Sequence, residues 1–454
     1  MMNFVNNWFA AKPSPIGVDF GTDAIRLAQV SWTGQDFKLA AAATADVPSH
    51  VRNDPKARAQ FFVESIRDLM AQGKFRGRQV VLSLPAASLH MQHLRIAKMD
   101  DAALKKAIPW EARGKFPIDT NGAVVRHLVA GELHNDTEPK LEVIVMAAAR
   151  SLVNDYLAAA ARARLDVVGM QVEPRVLVDC FAQVYRRKSD AETTNAFIDI
   201  GASGTRVIIS RGQQVFFARS IPLGGNHFTA AVAAAMTMNF EDAKLLRMRL
   251  AGVAPVATEV PDAQPVGSRR APLPDPEPAT DVPIEGFALL TAGLNAAAAR
   301  EHSAAGPSTV VANPIAPTVA ADRVDPAQVE RDEARRVDQA SREVVNRLID
   351  EIELCRRYFE STFPASPVER LIFVGGEARQ RTLCQHIACQ MQLAAQVGDP
   401  LVRMGRISDI GMETGIDRRS PQPGWAVAIG LSMGTGTVAS GESRMPSERQ
   451  GAVS

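Results

Sequence analysis

Ile16-Gly17-Val18-Asp19-Phe20-Gly21-Thr22-Asp23-Ala24 runs directly into Ile25-Arg26-Leu27-Ala28-Gln29-Val30. Asp199 stands 180 residues beyond Asp19, in Ala196-Phe197-Ile198-Asp199-Ile200-Gly201-Ala202-Ser203-Gly204-Thr205, which runs into Arg206-Val207-Ile208-Ile209-Ser210. Each stretch reads as an apolar strand, a turn opened by Asp-x-Gly, and a second apolar strand. The phosphate loop of a P-loop enzyme or a dinucleotide fold opens a helix instead, and no GxxxxGK[ST] occurs in the chain. Two such hairpins so far apart predict a duplicated, two-lobed α/β protein with a ligand between the lobes.

The chemistry of the pair points to phosphate and a cation. Gly21, Gly201 and Gly204 let the backbone turn tightly and approach a phosphate closely. Successive amides through Ala202, with the hydroxyls of Thr22, Ser203 and Thr205, are donors for phosphate oxygens. Asp19 and Asp199 are carboxylates of the kind that hold Mg²⁺ directly or through water. A third glycine site, Gly375-Gly376, follows the apolar run Leu371–Val374 and precedes a helical pattern, so a purine or ribose can lie on its backbone.

Between the hairpins the pattern reads strand (89–96), helix (100–113), strand (123–130), strand (141–148), helix (151–164), strand (166–172). This is a β-α-β-β-α-β unit, with Asp100 or Asp101 capping its first helix and Ser151 its second. Further helices are expected at 55–72, 229–238, 240–250, 332–359, 380–391 and 425–433. The 332–359 helix carries Val337, Ser341, Val344, Leu348, Ile352, Cys355 and Phe359 on one face.

The 454 residues carry 51 Lys+Arg against 50 Asp+Glu, a net charge of +1 that excludes a dedicated nucleic-acid binder. The four cysteines, Cys180, Cys355, Cys384 and Cys389, form no CxxC pair, which excludes a disulfide scaffold and a zinc quartet. No apolar run reaches the ~18 residues of a membrane span, and Met1–Phe9 does not read as a signal peptide, so a cytoplasmic location is expected. Twelve of the 28 prolines fall in 251–330, four of them alternating at Pro272, Pro274, Pro276 and Pro278. That stretch cannot propagate helix or central strand and is expected to be disordered apart from a short helix at 287–300; the Gly/Ser-rich tail 434–454 is expected to be disordered too. His90 and His93, three apart on a strand, face opposite sides and do not share a metal.

The three glycine sites in this order resemble the actin-like (ribonuclease-H-like) ATPase superfamily. The Asp-x-Gly hairpins resemble its two phosphate motifs and VGGEA its adenosine motif. Gln171-Val172-Glu173-Pro174 and Ala426–Leu431 fall at its two interlobe connections. Within that superfamily the chain resembles the PilM family of type IV pilus assembly, and more distantly FtsA. The residues that carry this are Ile16–Gly21, Ala107–Asp119 (AIPWEARGKFPID), Ala147–Pro174, and Arg219–Asn226 (RSIPLGGN).

The resemblance implies a first-lobe core at 16–85 and 166–192, with the inserted module at 86–165. The second-lobe core is then at 195–222 and 366–433, its helical subdomain at 223–250 and 329–365, and the Pro/Ala-rich insertion at 251–328. It implies ATP and Mg²⁺ as cofactors, with hydrolysis weak or absent. Glu241 and Lys244 would touch ribose and adenine, and Glu173 would orient water as the catalytic group. Read without the resemblance, Glu241 and Lys244 form an ordinary i,i+3 charge pair and Glu173 caps or pairs at the hinge.

The family's partner is the cytoplasmic N-terminal peptide of a bitopic PilN-like membrane protein, held between module and first lobe. Here Leu94, Ile96, Leu104, Ile108, Trp110 and Phe116 are candidates to line that groove. Attachment to the inner membrane would run through this partner, alongside other pilus components and a homo-oligomer. Two departures stand out: Asp23 puts a carboxylate where the family has Ser or Thr, and Arg26 replaces Lys. The rival readings are an actin-fold small-molecule kinase, which needs an Asp base on a substrate hydroxyl, and an FtsA-like division or filament protein.

Overall fold

β1 (Ile16–Phe20) is buried along its whole length, as a nearly uninterrupted apolar strand must be when both sheet faces are covered. It pairs antiparallel with β2 (Ala24–Trp32), which puts Asp19 opposite Arg26, and β3 (Phe37–Asp46) adds to β2. Helix α1 (Pro55–Gly73) starts at Asp54, whose carboxylate accepts from the amides of Lys56 and Ala57. Pro55 takes the first helical position, where a missing N–H costs nothing. β4 (Gln79–Ser83) then runs parallel to β1. This computed structural model describes residues 14–32, 36–52, 54–84, 88–133, 138–251, 326–404 and 416–434. Residues 1–13, most of the Pro/Ala-rich insertion with its expected 287–300 helix, and nearly all of the tail lie outside them.

The inserted module follows as β5 (His90–Ala97), α2 (Asp101–Glu111), β6 (Ala123–Leu133) and β7 (Lys140–Ala149), a three-stranded antiparallel sheet in the order β5-β7-β6. Asp100 caps α2 by accepting from the Ala103 amide. α3 (Arg150–Arg162) has no side-chain cap, and Ser151 lies inside it, because the helix begins directly at the end of β7. Leu104, Ile108, Phe116, Val143 and Val145 form the module's own small core. Tyr156, Ala159 and Ala160 of α3 are buried instead in the first lobe's core, with Tyr156 edge-on to Phe20 at 4.5 Å. β8 (Asp166–Gln171) returns to pair parallel with β4, completing a sheet in the order β3-β2-β1-β4-β8.

After α4 (Glu173–Ala182) and α5 (Lys188–Glu192) the second lobe repeats the plan. Its strands are β9 (Thr194–Ile200), β10 (Thr205–Arg211), β11 (Gln214–Ile221), β12 (Arg370–Val374) and β13 (Ala394–Val397), in the order β11-β10-β9-β12-β13. Position for position this is the order of the first sheet, so the echo in sequence is a duplication in topology. Helices α6 (Gly225–Met236), α7 (Phe240–Leu250), α8 (Pro326–Thr362) and α9 (Arg381–Met391) accompany it. The deeply buried face of α8 is Val345, Leu348, Ile352, Cys355 and Phe359, while Val337, Ser341 and Val344 are only half-buried.

The module is also fastened to the second lobe. His93 of β5 stacks on Phe217 of β11 at 4.7 Å. Its Nδ1 lies 2.9 Å from the fully buried Glu142, which also accepts from the Tyr358 hydroxyl of α8 at 2.8 Å.

One expected boundary is corrected. Helix α10 (Ala426–Met433), placed by sequence at the end of the second-lobe core 366–433, packs against β1, β2 and β4 of the first lobe and against α4. The reason is steric fit. A Cβ on Gly17 of β1 would stand 2.0 Å from the Ala428 carbonyl oxygen, and one on Gly430 would stand 2.5 Å from the Val176 carbonyl oxygen of α4. Two glycines thus let one helix press against both a strand and a helix. The Ser432 hydroxyl donates to the Pro15 carbonyl at 2.7 Å and accepts from the Val30 amide at 2.9 Å. Gly17→Ala forces this helix off the sheet, and overpacking of this kind costs about 1–3 kcal/mol or more; a matching loss in urea denaturation is expected.

Candidate functional site

The two Asp-x-Gly hairpins meet tip to tip. The Thr22 and Ser203 hydroxyl oxygens are 2.8 Å apart, 181 residues apart in sequence. Each hairpin is pinned from behind by different means. In the first, buried Arg58 of α1 donates through Nη2 to the carbonyls of Phe20 and Gly21. In the second, the Gly225 and Asn226 amides at the start of α6 donate to the carbonyls of Gly201 and Ala202, at 3.0 and 2.8 Å. The Gly201 amide is committed to the Gly204 carbonyl at 2.9 Å, and the Thr205 hydroxyl to the Leu223 carbonyl at 2.7 Å. Both groups therefore hold the hairpin's shape. The hydroxyls of Thr22 and Ser203 are the ones that face the opposing lobe.

The third glycine site lies against the second hairpin. Gly375 has φ +89°, and a Cβ there would stand 2.4 Å from Asp199 Oδ1. Glycine is required twice over, by conformation and by space. Gly376 has open space around it, and the half-buried Arg26 brings its guanidinium carbon within 3.6 Å of a Cβ built on nearby Gly424.

Beneath the hairpins, Asp19, Asp199 and Glu173 gather around Arg206. Arg206 sits on β10 directly opposite Asp199. Its Nε donates to Asp199 Oδ2 at 2.9 Å, its Nη2 contacts the same oxygen, and its Nη1 contacts Glu173 Oε2. Asp19 Oδ1 is 3.5 Å from the Ser83 hydroxyl. All four charged residues are buried. Burial pushes Glu173 up to about 8, with Asp19 and Asp199 adding to the rise and Arg206 opposing it. Burial likewise raises Asp19, against the pull of Arg26 and Arg206. Burial alone would lower Arg206, but the charges of Asp199 and Glu173 hold it above its usual value.

This arrangement corrects two expectations. Asp199, expected with Asp19 to hold Mg²⁺, is already engaged by a guanidinium that would repel a divalent cation beside it. Glu173, expected to orient water, is tied to Arg206. Sequence reading missed Arg206, although the signal was present. Arg26 follows Asp19 by seven residues and Arg206 follows Asp199 by seven, the spacing that a tight antiparallel hairpin turns into opposition.

Glu241 and Lys244 are brought to the mouth of the cleft, where they bridge the lobes. Lys244 Nζ lies 2.6 Å from Asp23 Oδ2 of the first hairpin. Arg52 lies 3.4 Å from Asp23 Oδ1 and 3.3 Å from Glu241 Oε1. The charge of Asp23 is thus offset by two cations. Behind them Arg247 donates to the Gly225 carbonyl, the Thr229 hydroxyl and Glu377 Oε2, at 2.9, 2.7 and 2.7 Å.

Over residues 17–251, more than half of the chain, the sequence matches the family described as type IV pilus assembly protein PilM. The chain belongs to this family. Among solved structures, the PilM-PilN type IV pilus biogenesis complex is similar with TM-score 0.62 and 19% identity, covering 92% of this chain and 98% of that one. This likeness shows that the duplicated lobes and inserted module form the PilM fold. The ethanolamine utilization protein EutJ from Carboxydothermus hydrogenoformans is similar at TM-score 0.46 and 11% identity, over 93% of this chain and 89% of that one. The (R)-2-hydroxyglutaryl-CoA dehydratase component A of Acidaminococcus fermentans follows at 0.37 and 10%, over 92% and 96%. No curated protein matches the chain. Among the described residues, no helix of this PilM-family chain is long and apolar enough to cross a membrane.

Two outcomes are expected. A carboxyl raised above its unfolded value of 4.5 keeps its proton in the folded state after the unfolded state has lost it. Folding then takes up a proton, so stability falls as pH rises from 4.5 towards 8 and levels off above. In urea denaturation between roughly pH 5.5 and 7.5, the wild type should lose up to about 1 kcal/mol per pH unit relative to Glu173→Gln. Lys244→Ala should cost less than about 1 kcal/mol of stability, since its ion pair is partly exposed. It should nevertheless speed hydrogen exchange in both hairpins severalfold by freeing the lobes.

Proposed function

We propose that this PilM-family protein is an assembly scaffold of the type IV pilus inner-membrane complex. It docks the cytoplasmic N-terminal peptide of a PilN-like bitopic partner on its module and binds ATP between its lobes. Its place at the membrane then comes through that partner. The observation that carries the reading is the family match over the first lobe, module and second hairpin, joined to a fold shared with a PilM-PilN complex.

The surface of the module supports a docking role. Ile96, Leu104, Ile108 and Phe116 of the expected groove are module core, and Leu94 packs against them. Trp110 of α2 is left 65% exposed, with the Arg113 guanidinium stacked 3.8 Å over its ring. An exposed tryptophan backed by an arginine is the type of anchor that dominates a peptide interface. For the nucleotide, the converging Thr22 and Ser203 hydroxyls, the open backbone at Gly376 and the Arg26 guanidinium supply donors and positive charge for phosphate and ribose. Glu241 and Lys244 are the proposed contacts to ribose and adenine. The kinase reading finds no support here, because Asp199 and Glu173 are engaged by Arg206.

The test is fluorescence anisotropy with a labelled peptide from the N-terminus of the adjacent PilN-like membrane protein. Trp110→Ala should weaken binding by about tenfold or more with an unchanged melting curve. Undiminished binding by that variant would remove Trp110 from the interface, and no binding by the wild type would sink the docking reading.

A further inference from the structure

We propose that Arg206 takes the place of the divalent cation in this cleft, so that the chain binds its nucleotide without a metal ion. The inference deepens the reading of the cleft as a nucleotide site and rests on it for the location of the phosphates.

The geometry is that of a built cation site already filled. Two carboxylates from different elements, Asp199 of β9 and Glu173 of α4, point at one planar guanidinium. Asp199 receives two of its N–H groups and Glu173 a third. A divalent ion on Asp199 Oδ2 or Glu173 Oε2 would have to compete with the guanidinium for that oxygen. It would also sit close to the Arg206 guanidinium, whose positive charge opposes a second cation. Arg206 is 8% exposed and cannot swing aside without leaving two buried carboxylates unpaired.

A guanidinium differs from a metal in kind. It brings one charge, exchanges no ligands and holds no water to be activated. The first lobe shows what the same hairpin position does otherwise. Arg26, opposite Asp19 as Arg206 is opposite Asp199, reaches past Gly21 towards Gly424 and stays half-buried in the cleft. The duplicated position therefore gives one arginine that replaces the metal and one that is left for the phosphates.

Two measurements on the full chain decide it. Mn²⁺ titration followed by electron paramagnetic resonance should find no stoichiometric ion on the wild type, and one on Arg206→Ser. Calorimetry with ATP should give affinities in Mg²⁺ and in EDTA that agree within about twofold. A wild-type Mn²⁺ site that Asp199→Asn abolishes overturns the proposal. So does an ATP affinity that falls about tenfold or more in EDTA, or a folded Arg206→Ser that takes up no Mn²⁺. Should Arg206→Ser not fold, Arg206→Lys, which keeps the charge, should stay free of Mn²⁺, and uptake by it counts against the proposal. If ATP binds under neither condition, the nucleotide reading falls while the Mn²⁺ arms still decide the role of Arg206.

Discussion

Burying charge is the constraint around which the centre of this molecule is arranged. Arg206, Asp199, Glu173 and Asp19 lie within one water-poor region. The three carboxyls oppose one another's charge, and Arg206 is the group among them that offsets it. Removing one member of such a group strands the rest, at a cost of about 3–5 kcal/mol for a buried pair. The cluster draws on β1, β9, β10 and the first residue of α4, which are the central strands of both lobes and the link between them. Arg206 thereby ties the second lobe's central strands to the link at Glu173, while the partly exposed ion pairs at the mouth of the cleft join the lobes and add comparatively little.

Around that base the duplication is used unevenly. Both hairpins turn at Asp-x-Gly, yet one is braced by an arginine from a helix and the other by the amides opening α6. Both carry an arginine opposite the aspartate, yet only one of the two makes an ion pair with it. A repeated sequence motif fixes the backbone path, because hairpin geometry is local. It does not fix the side-chain partners, because those come from whatever the rest of the chain brings near.

The same distinction explains what was legible in the sequence. The strands at 16–30 and 195–210 and the order of elements in the module could be read, since apolar alternation and turn chemistry act over a few residues. The face of α8 was read nearly in register, the stripe being shifted towards its C-terminal half. The partners of Asp23 and Glu173 could not be read: Lys244 lies 221 residues from Asp23, and Arg206 lies 33 from Glu173. Reading carboxylates as ligand donors led to Asp19 and Asp199 as metal holders. The seven-residue spacing to an arginine, visible in both hairpins, was the clue to a cation supplied by the chain itself. The resemblance put α10 at an interlobe connection, but an apolar helix does not announce which of two similar cores it will enter. Only the space left by Gly17 and Gly430 decides that.

That last helix has a consequence for how the molecule comes into being. A ribosome delivers the first hairpin, the module and the second hairpin before it delivers residues 426–433. Until then the first lobe lacks Val427 and Leu431 from its core, and the face of β1 around Gly17 stays uncovered. Domains usually fold as units in the order of their synthesis. Here the lobe that begins the described chain is closed by a helix near its end. The two lobes therefore reach completion together, and an interrupted chain would present an open core to cellular quality control instead of one finished half.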